Sequence, residues 1–303
     1  MNWINGFEQM CYLITALLLV DIFLRKRWTE LRLFCSAALA GFALELMAVR
    51  VTGIYHYSPQ FWISLGTPPY QFPFFGGLMW GGLTVCGLRI TDKLGLSRLM
   101  TALVTGWLIV SMDLLLDVAA IRLDSGFWVW EGRKITLDVN HHMFMSVIWV
   151  NFLGYLFETP AVVFFHRWTE EERGTKRSPG RIITDTVFVG LGGIAVVGAA
   201  SGFSLWLNSV TDEWFACVAF VALWCVILVS LLITVAKNRR HLTLKGKKDI
   251  PVIIFWAAMY GYCLAALWSL GILLAIPLYG VLAVTLTVGT LILSYIQKRE
   301  LAV

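Results

Sequence analysis

Charge is what this 303-residue chain has least of: 14% of its residues are Asp, Glu, Lys or Arg, whereas 58% are hydrophobic. A soluble protein carries roughly 25% charged residues, enough to cover its surface. The six cysteines (Cys11, Cys35, Cys86, Cys217, Cys225, Cys263) lie in apolar stretches, with no CxxC pair and no cluster with histidine. That excludes a disulfide scaffold and a zinc-ribbon type of site, and leaves small buried hydrophobes. Short alternating apolar segments are missing, so a membrane β-barrel is excluded. No basic stretch precedes the first apolar run and no small-residue cleavage site follows it. That run is expected to be a permanent span rather than a cleaved signal. Basic residues fall mostly in short loops between apolar spans, which gives no basis for nucleic-acid binding.

What is present is a series of apolar runs, several longer than the ~18 residues that mark a transmembrane helix. The expected architecture is all-α, a polytopic membrane helical bundle. Nine spans are read, at roughly 7–24, 31–51, 71–89, 99–121, 142–165, 183–206, 215–236, 251–273 and 277–297. Loops alternate in charge. The first carries Arg25, Lys26 and Arg27, whereas the second, "TGIYHYSPQFWISLGTPPY", has no Lys or Arg. "KNRRHLTLKGKKD" in the seventh is the most basic stretch. The positive-inside rule then puts the N-terminus outside and the C-terminus inside. "ERGTKRSPG" near residue 175 is the best linker, dividing a five-span unit (1–174) from a four-span extension (175–303) that reads as scaffold. The glycine runs "FFGGLMWGGL" and "GLGGIAVVGAAS" read as close-packing helix faces.

Acids inside the spans carry the functional signal. A charge at the bilayer centre costs roughly 2.5–3.5 kcal/mol on insertion scales. Asp21 lies four residues before Arg25, a local ion pair, and Asp185 lies near a basic loop. Glu45, Asp113, Asp117 and Glu158 are less easily explained. Asp113 and Asp117, in "MDLLLDVAA", share one helix face. At 1.5 Å per residue, Glu45, Asp113, Asp117 and Asn151 fall in one depth band on three helices, and Glu158 lies roughly 10 Å deeper on the helix of Asn151. Two readings stand: a polar network that fixes helix packing, or a pair in which one carboxyl keeps its proton as a general acid beside an ionised partner. Tyr55, Tyr57, Trp62, Trp128 and Trp130 are either interfacial belt residues or aromatic walls able to stabilise a cation. His56, His141 and His142 match no metal-ligand spacing and read as interfacial hydrogen-bonding groups. No metal and no cofactor are expected.

The order of motifs adds a resemblance. "ELMAVRVTGIYHYS" (45–58), "LGTPPYQFP" with Trp80, "MDLLLDVAAIRLDSGFWVWEG" (112–132) and "NFLGY" (151–155) follow one another over about residues 40–160. The set resembles the membrane-bound carotenoid biosynthesis protein family, which includes the bacterioruberin-pathway and γ-carotene hydratases. Val118 stands where that family often has Pro, Tyr155 replaces a Trp, and a Tyr-x-Gly-Val-Pro element is absent. The resemblance implies an integral, multi-pass enzyme of a bacterial or archaeal cell membrane acting on a lipophilic isoprenoid or carotenoid among membrane lipid. It implies hydration: protonation of a terminal double bond and capture of the cation by water. Asp113, Asp117, Glu45 and Asn151 are the implied catalytic group. Tyr55, Tyr57, Trp80, Trp128, Trp130 and Glu158 are the implied substrate contacts. A membrane terpene or carotenoid cyclase would use the same acid. A proton-coupled transporter is the alternative of another class, although no repeat with broken helices is evident.

Overall fold

The computed structural model describes residues 2–173 and 178–299. Helix makes up 73% of it. Helices α1 (Trp3–Leu24) and α2 (Trp28–Val51) form an opening hairpin. Strands β1 (Tyr55–Tyr57), β2 (Ser64–Leu65) and β3 (Phe72–Pro73) follow, then α3 (Phe74–Thr91) and α4 (Arg98–Ala120). Strands β4 (Trp128–Trp130), β5 (Met143–Phe144) and β6 (Val147–Ile148) precede α5 (Trp149–Arg173). The remainder is α6 (Pro179–Val210), α7 (Trp214–Asn238), β7 (Leu242–Thr243), α8 (Ile250–Ser269), the single turn α9 (Ile272–Ala275), α10 (Pro277–Tyr295) and β8 (Gln297–Lys298). The boundary expected at 174/175 lies outside the described residues.

Among the described residues, seven helices are long and apolar enough to cross a membrane: α1, α2, α4, α6, α7 with the turn after it, α8 and α10. The other two expected spans are α3 and α5. Glycines and Arg89 dilute α3. Asn151, Glu158, His166 and a charged end dilute α5. Both pack against α4 and α2 inside the bundle. A helix covered by protein has no need of a continuous apolar surface. Helix α5 also starts later than expected from sequence, at Trp149 rather than 142, because Met143–Phe144 and Val147–Ile148 pair as an antiparallel hairpin.

Helix α4 is the axis of the bundle. It touches α3, α5, α7, α8 and α10, and nearly all its residues from Thr101 onward are buried. Ser97 caps its first turn, with Oγ accepting from the Met100 N–H. Close approach to α5 depends on Gly106: a Cβ there would lie 2.6 Å from the ring of Pro160. Polar groups from the C-terminal helices clasp the same axis. Trp224 donates to Ser111 Oγ (3.0 Å), and Tyr279 donates to the Leu114 carbonyl (2.9 Å). In a bilayer, packing and such hydrogen bonds hold helices together, because lipid is as apolar as leucine.

One end of the bundle is fixed by charge. Asp21 pairs with Arg25 at 2.5 Å, the local pair expected from sequence, and its second oxygen lies 2.9 Å from Arg89 of α3. Arg89 also reaches Glu30 of α2 (2.6 Å) and Asp249 at the start of α8 (3.2 Å). Its side chain is 5% exposed. One guanidinium, with five donors in a fixed fork, therefore joins four helices. Removing it leaves three acids facing one another. The Arg89→Ala protein is expected to lose about 3–5 kcal/mol of stability, read as a lowered unfolding midpoint in detergent. A midpoint equal to wild type would show that solvent replaces the guanidinium.

Candidate acid site in the bundle

The acids sit where α2, α4 and α5 meet under a β-ribbon. The ribbon forms because the loops after α2 and α4 each contain an aromatic-x-aromatic triplet. β1 and β4 pair antiparallel, with Tyr55 opposite Trp130 and Tyr57 opposite Trp128. Side chains alternate along a strand. The four rings therefore share the face turned to the bundle, while His56 and Val129 share the other. The rings touch: Tyr55–Trp130 centroids are 5.1 Å apart and Tyr57–Trp128 are 5.9 Å apart. His56 bonds Glu131 at 2.5 Å on the outer face.

Below the ribbon lies a cavity of about 90 Å³. Glu45, Tyr55, Tyr57, Trp80, Asp113, Asp117, Trp128, Trp130 and Asn151, nine of the ten residues singled out from sequence, line it. Phe72, Phe75, Met79, Leu116 and Met259 supply apolar wall. The tenth, Glu158, lies outside it, in a neighbouring groove. Trp80 reaches the cavity because Gly41 of α2 has no side chain; a Cβ there would stand 2.2 Å from the indole.

Each acid is held differently. Glu45 Oε2 accepts hydrogen bonds from both ribbon tyrosines, Tyr55 at 2.6 Å and Tyr57 at 2.8 Å. Burial, and then the Glu45 charge, push both phenols well above the ordinary tyrosine value, so both remain donors at physiological pH. Asp117 Oδ2 accepts from Asn151 Nδ2 at 2.6 Å. Asp113 and Asp117, one turn apart, bring their carboxyls within hydrogen-bonding reach of each other. They are 4% and 1% exposed. Among the described residues, Asp113 Oδ2 and Asp117 Oδ1 meet no donor. Two facing carboxylates repel, whereas one proton between them serves both.

Two contributors were not anticipated as part of the site. Tyr155 lines the cavity and stacks beside Trp80, with centroids 5.0 Å apart; its place four residues after Asn151, one turn along the same face, was the available signal. Glu8 is fully buried near the start of α1 and accepts from the Trp62 and Ile63 N–H groups at 2.7 and 3.1 Å. It anchors the uncharged loop beside the site. Its local partner is Tyr12, one turn on; nothing in that spacing gives the anchoring away, since the two N–H groups lie more than fifty residues on.

The remaining histidines sit apart from the acids. His141 stacks on Trp214 at 4.4 Å, and His142 bonds Glu213 at 2.9 Å. Among the described residues, His141, His142 and Asp212 form the one group whose ligand atoms come within 4.8 Å of one another. Asp212 is exposed, and His142 already has a carboxylate partner.

Seven apolar helices, with an aromatic cavity of buried carboxyls among them, define a multi-pass membrane protein built around an internal acid site. Sequence comparison says which kind: the chain belongs to the carotenoid biosynthesis protein family, whose match covers residues 7–210. That match runs from α1 through α6, beyond the four motif blocks at 40–160. Neither the curated proteins nor the solved structures contain a significant match.

The two phenols share one carboxylate oxygen, which makes their contributions interdependent. Tyr55→Phe and Tyr57→Phe are each expected to destabilise by about 1.5–3 kcal/mol, typical of a hydrogen bond to a charged group. The double variant should cost more than the sum, because the second loss leaves Oε2 without either phenol donor. Strict additivity of unfolding free energies would show that the two bonds act independently.

Proposed function

We propose that this protein is an integral-membrane enzyme that hydrates a terminal double bond of an isoprenoid or carotenoid. The facing carboxyls of Asp113 and Asp117, with oxygens that meet no protein donor, on the wall of an aromatic cavity, carry this reading. Membership of the carotenoid biosynthesis family supports a lipophilic polyene as substrate.

In this scheme the Asp113/Asp117 pair holds one proton. The pair gives it to the less substituted carbon of the terminal alkene, whose π electrons form the new C–H bond. The tertiary carbocation left behind lies among the rings of Tyr55, Tyr57, Trp80, Trp128 and Trp130, whose π faces attract positive charge. Water, oriented by Asn151 and Glu45, adds its lone pair to the cation. The oxonium then returns a proton to the carboxylate pair. The net change is addition of one water, and the acid is regenerated. Capture of the same cation by an internal alkene would instead close a ring without change of mass. We further propose that α3 and α5 complete nine spans, with the N-terminus outside and the C-terminus inside.

A general acid contributes typically 10²–10⁴-fold to rate. Asp113→Asn and Asp117→Asn are therefore each expected to lower turnover by about that factor. The assay is mass spectrometry of lipid extracts from cells that accumulate linear isoprenoids and express each variant. A product heavier by one water supports hydration, and an isomer of unchanged mass supports cyclisation. Full turnover in both variants would sink acid catalysis by this pair. Proton flux with no product would assign the acids to transport.

A further inference from the structure

A second cavity of about 380 Å³ lies beside the acid site, between α2, α5 and α6. It shares five lining residues with the acid cavity: Glu45, Tyr55, Trp130, Asn151 and Tyr155. From that common wall it runs outward to Met47 and Val51 of α2, which are 52% and 78% exposed on the lateral surface. Glycine forms much of its opposite side. Along α6 the glycines divide into two sets. Gly190 and Gly193 are packed tightly, with atoms of α2 or α5 within about 3.1 Å of where a Cβ would stand. Gly198 and Gly202, and Gly154 of α5, face open space with nothing within 4 Å. The second glycine run is therefore only half a packing face; its other half leaves a trough. Into that trough looks Glu158, 7% exposed, whose Oε1 is buried without a hydrogen-bond partner. An orphan buried carboxyl oxygen is costly unless something supplies a partner.

We propose that this trough is the lateral binding site for the isoprenoid chain, holding its body while its end group occupies the acid cavity, and that Glu158 pairs there with an O–H group. The inference rests on the isoprenoid reading above. The wall shared with the acid cavity favours the substrate over a bilayer lipid as occupant, because a chain seated here lies against Glu45, Tyr55, Asn151 and Tyr155, which also line the cavity of Asp113 and Asp117. The acid cavity alone is too small for more than an end group, so the rest of a long polyene needs a second compartment. The free O–H comes either from water carried along the trough or from a hydroxyl on the chain.

The trough is tested in the full-length protein in nanodiscs, with lycopene binding followed by quenching of tryptophan fluorescence. Gly198→Leu and Gly202→Leu together fill the trough from positions where an added Cβ has open space, and the pair is expected to weaken binding about tenfold or more. Met47→Trp, from the opposite wall, is the second obstruction should the leucine variant not fold. If the obstructed proteins bind lycopene as wild type does, the trough holds bilayer lipid only and the proposal falls. If wild type binds no isoprenoid at all, the functional reading itself falls. Glu158→Leu is compared on geranylgeraniol and on its parent hydrocarbon. Weaker binding of the alcohol alone assigns the O–H to the chain, equal weakening of both assigns it to water, and no change in either overturns the role of Glu158.

Discussion

A carboxyl group away from water must find hydrogen-bond donors inside the protein. That requirement organises much of this structure. Glu45 draws two tyrosines down from the loop above it. Glu8 takes two backbone N–H groups and so fixes the loop that follows β1. Asp21, Glu30 and Asp249 gather around one arginine. In the first two cases an acid on a helix ties a loop to the bundle, and in the third the acids tie one helix to three others. The Asp113/Asp117 pair, like Glu158, departs from this: among the described residues it meets one donor, from Asn151, and leaves oxygens over. A surplus of acceptors facing a cavity is where an incoming proton or ligand has something to do.

Helix α4 explains how such a surplus is tolerated. It is enclosed by five other helices, so its polar positions face protein rather than hydrocarbon. The C-terminal helices contribute to that enclosure by donating indole and phenol hydrogens to α4, and α8 adds Met259 to the cavity wall. They lie beyond the family match, yet they close the side of the axis that α3 and α5 leave open. The small residues have the complementary role. Gly41 and Gly106 let bulky groups approach the axis, whereas Gly198 and Gly202 keep space empty. The same residue type thus serves both contact and vacancy, and only the neighbouring helix decides which.

Much of the site was legible in the sequence because intramembrane acids are rare and helical spacing is regular. Depth arithmetic alone grouped Glu45, Asp113, Asp117 and Asn151, and the structure brings all four to one cavity. What the sequence hid has two physical causes. Long-range partners, such as Glu8 with Trp62 or Asp21 with Arg89, leave no local periodicity. Short strands of two or three residues fall below any window, so the Tyr-x-Tyr and Trp-x-Trp triplets read as loop or belt aromatics until their pairing was seen. Buried helices also mislead by composition: α3 and α5 are among the most enclosed elements and the least continuously apolar.

The β-ribbon sets a rule for how this protein can vary. Its inward rings are specified by alternation, and at Tyr55 and Tyr57 also by the hydroxyls that hold Glu45, so exchange of one aromatic for another is tolerated best at Trp128 and Trp130. A one-residue insertion or deletion within either triplet is another matter. It would turn part of the inward set outward and bring His56 or Val129 round to the acids. The spacing between these aromatics is therefore under tighter constraint than the identity of the two tryptophans. Relatives of this chain should vary ring type most at the tryptophan positions while keeping the reading frame of both triplets intact.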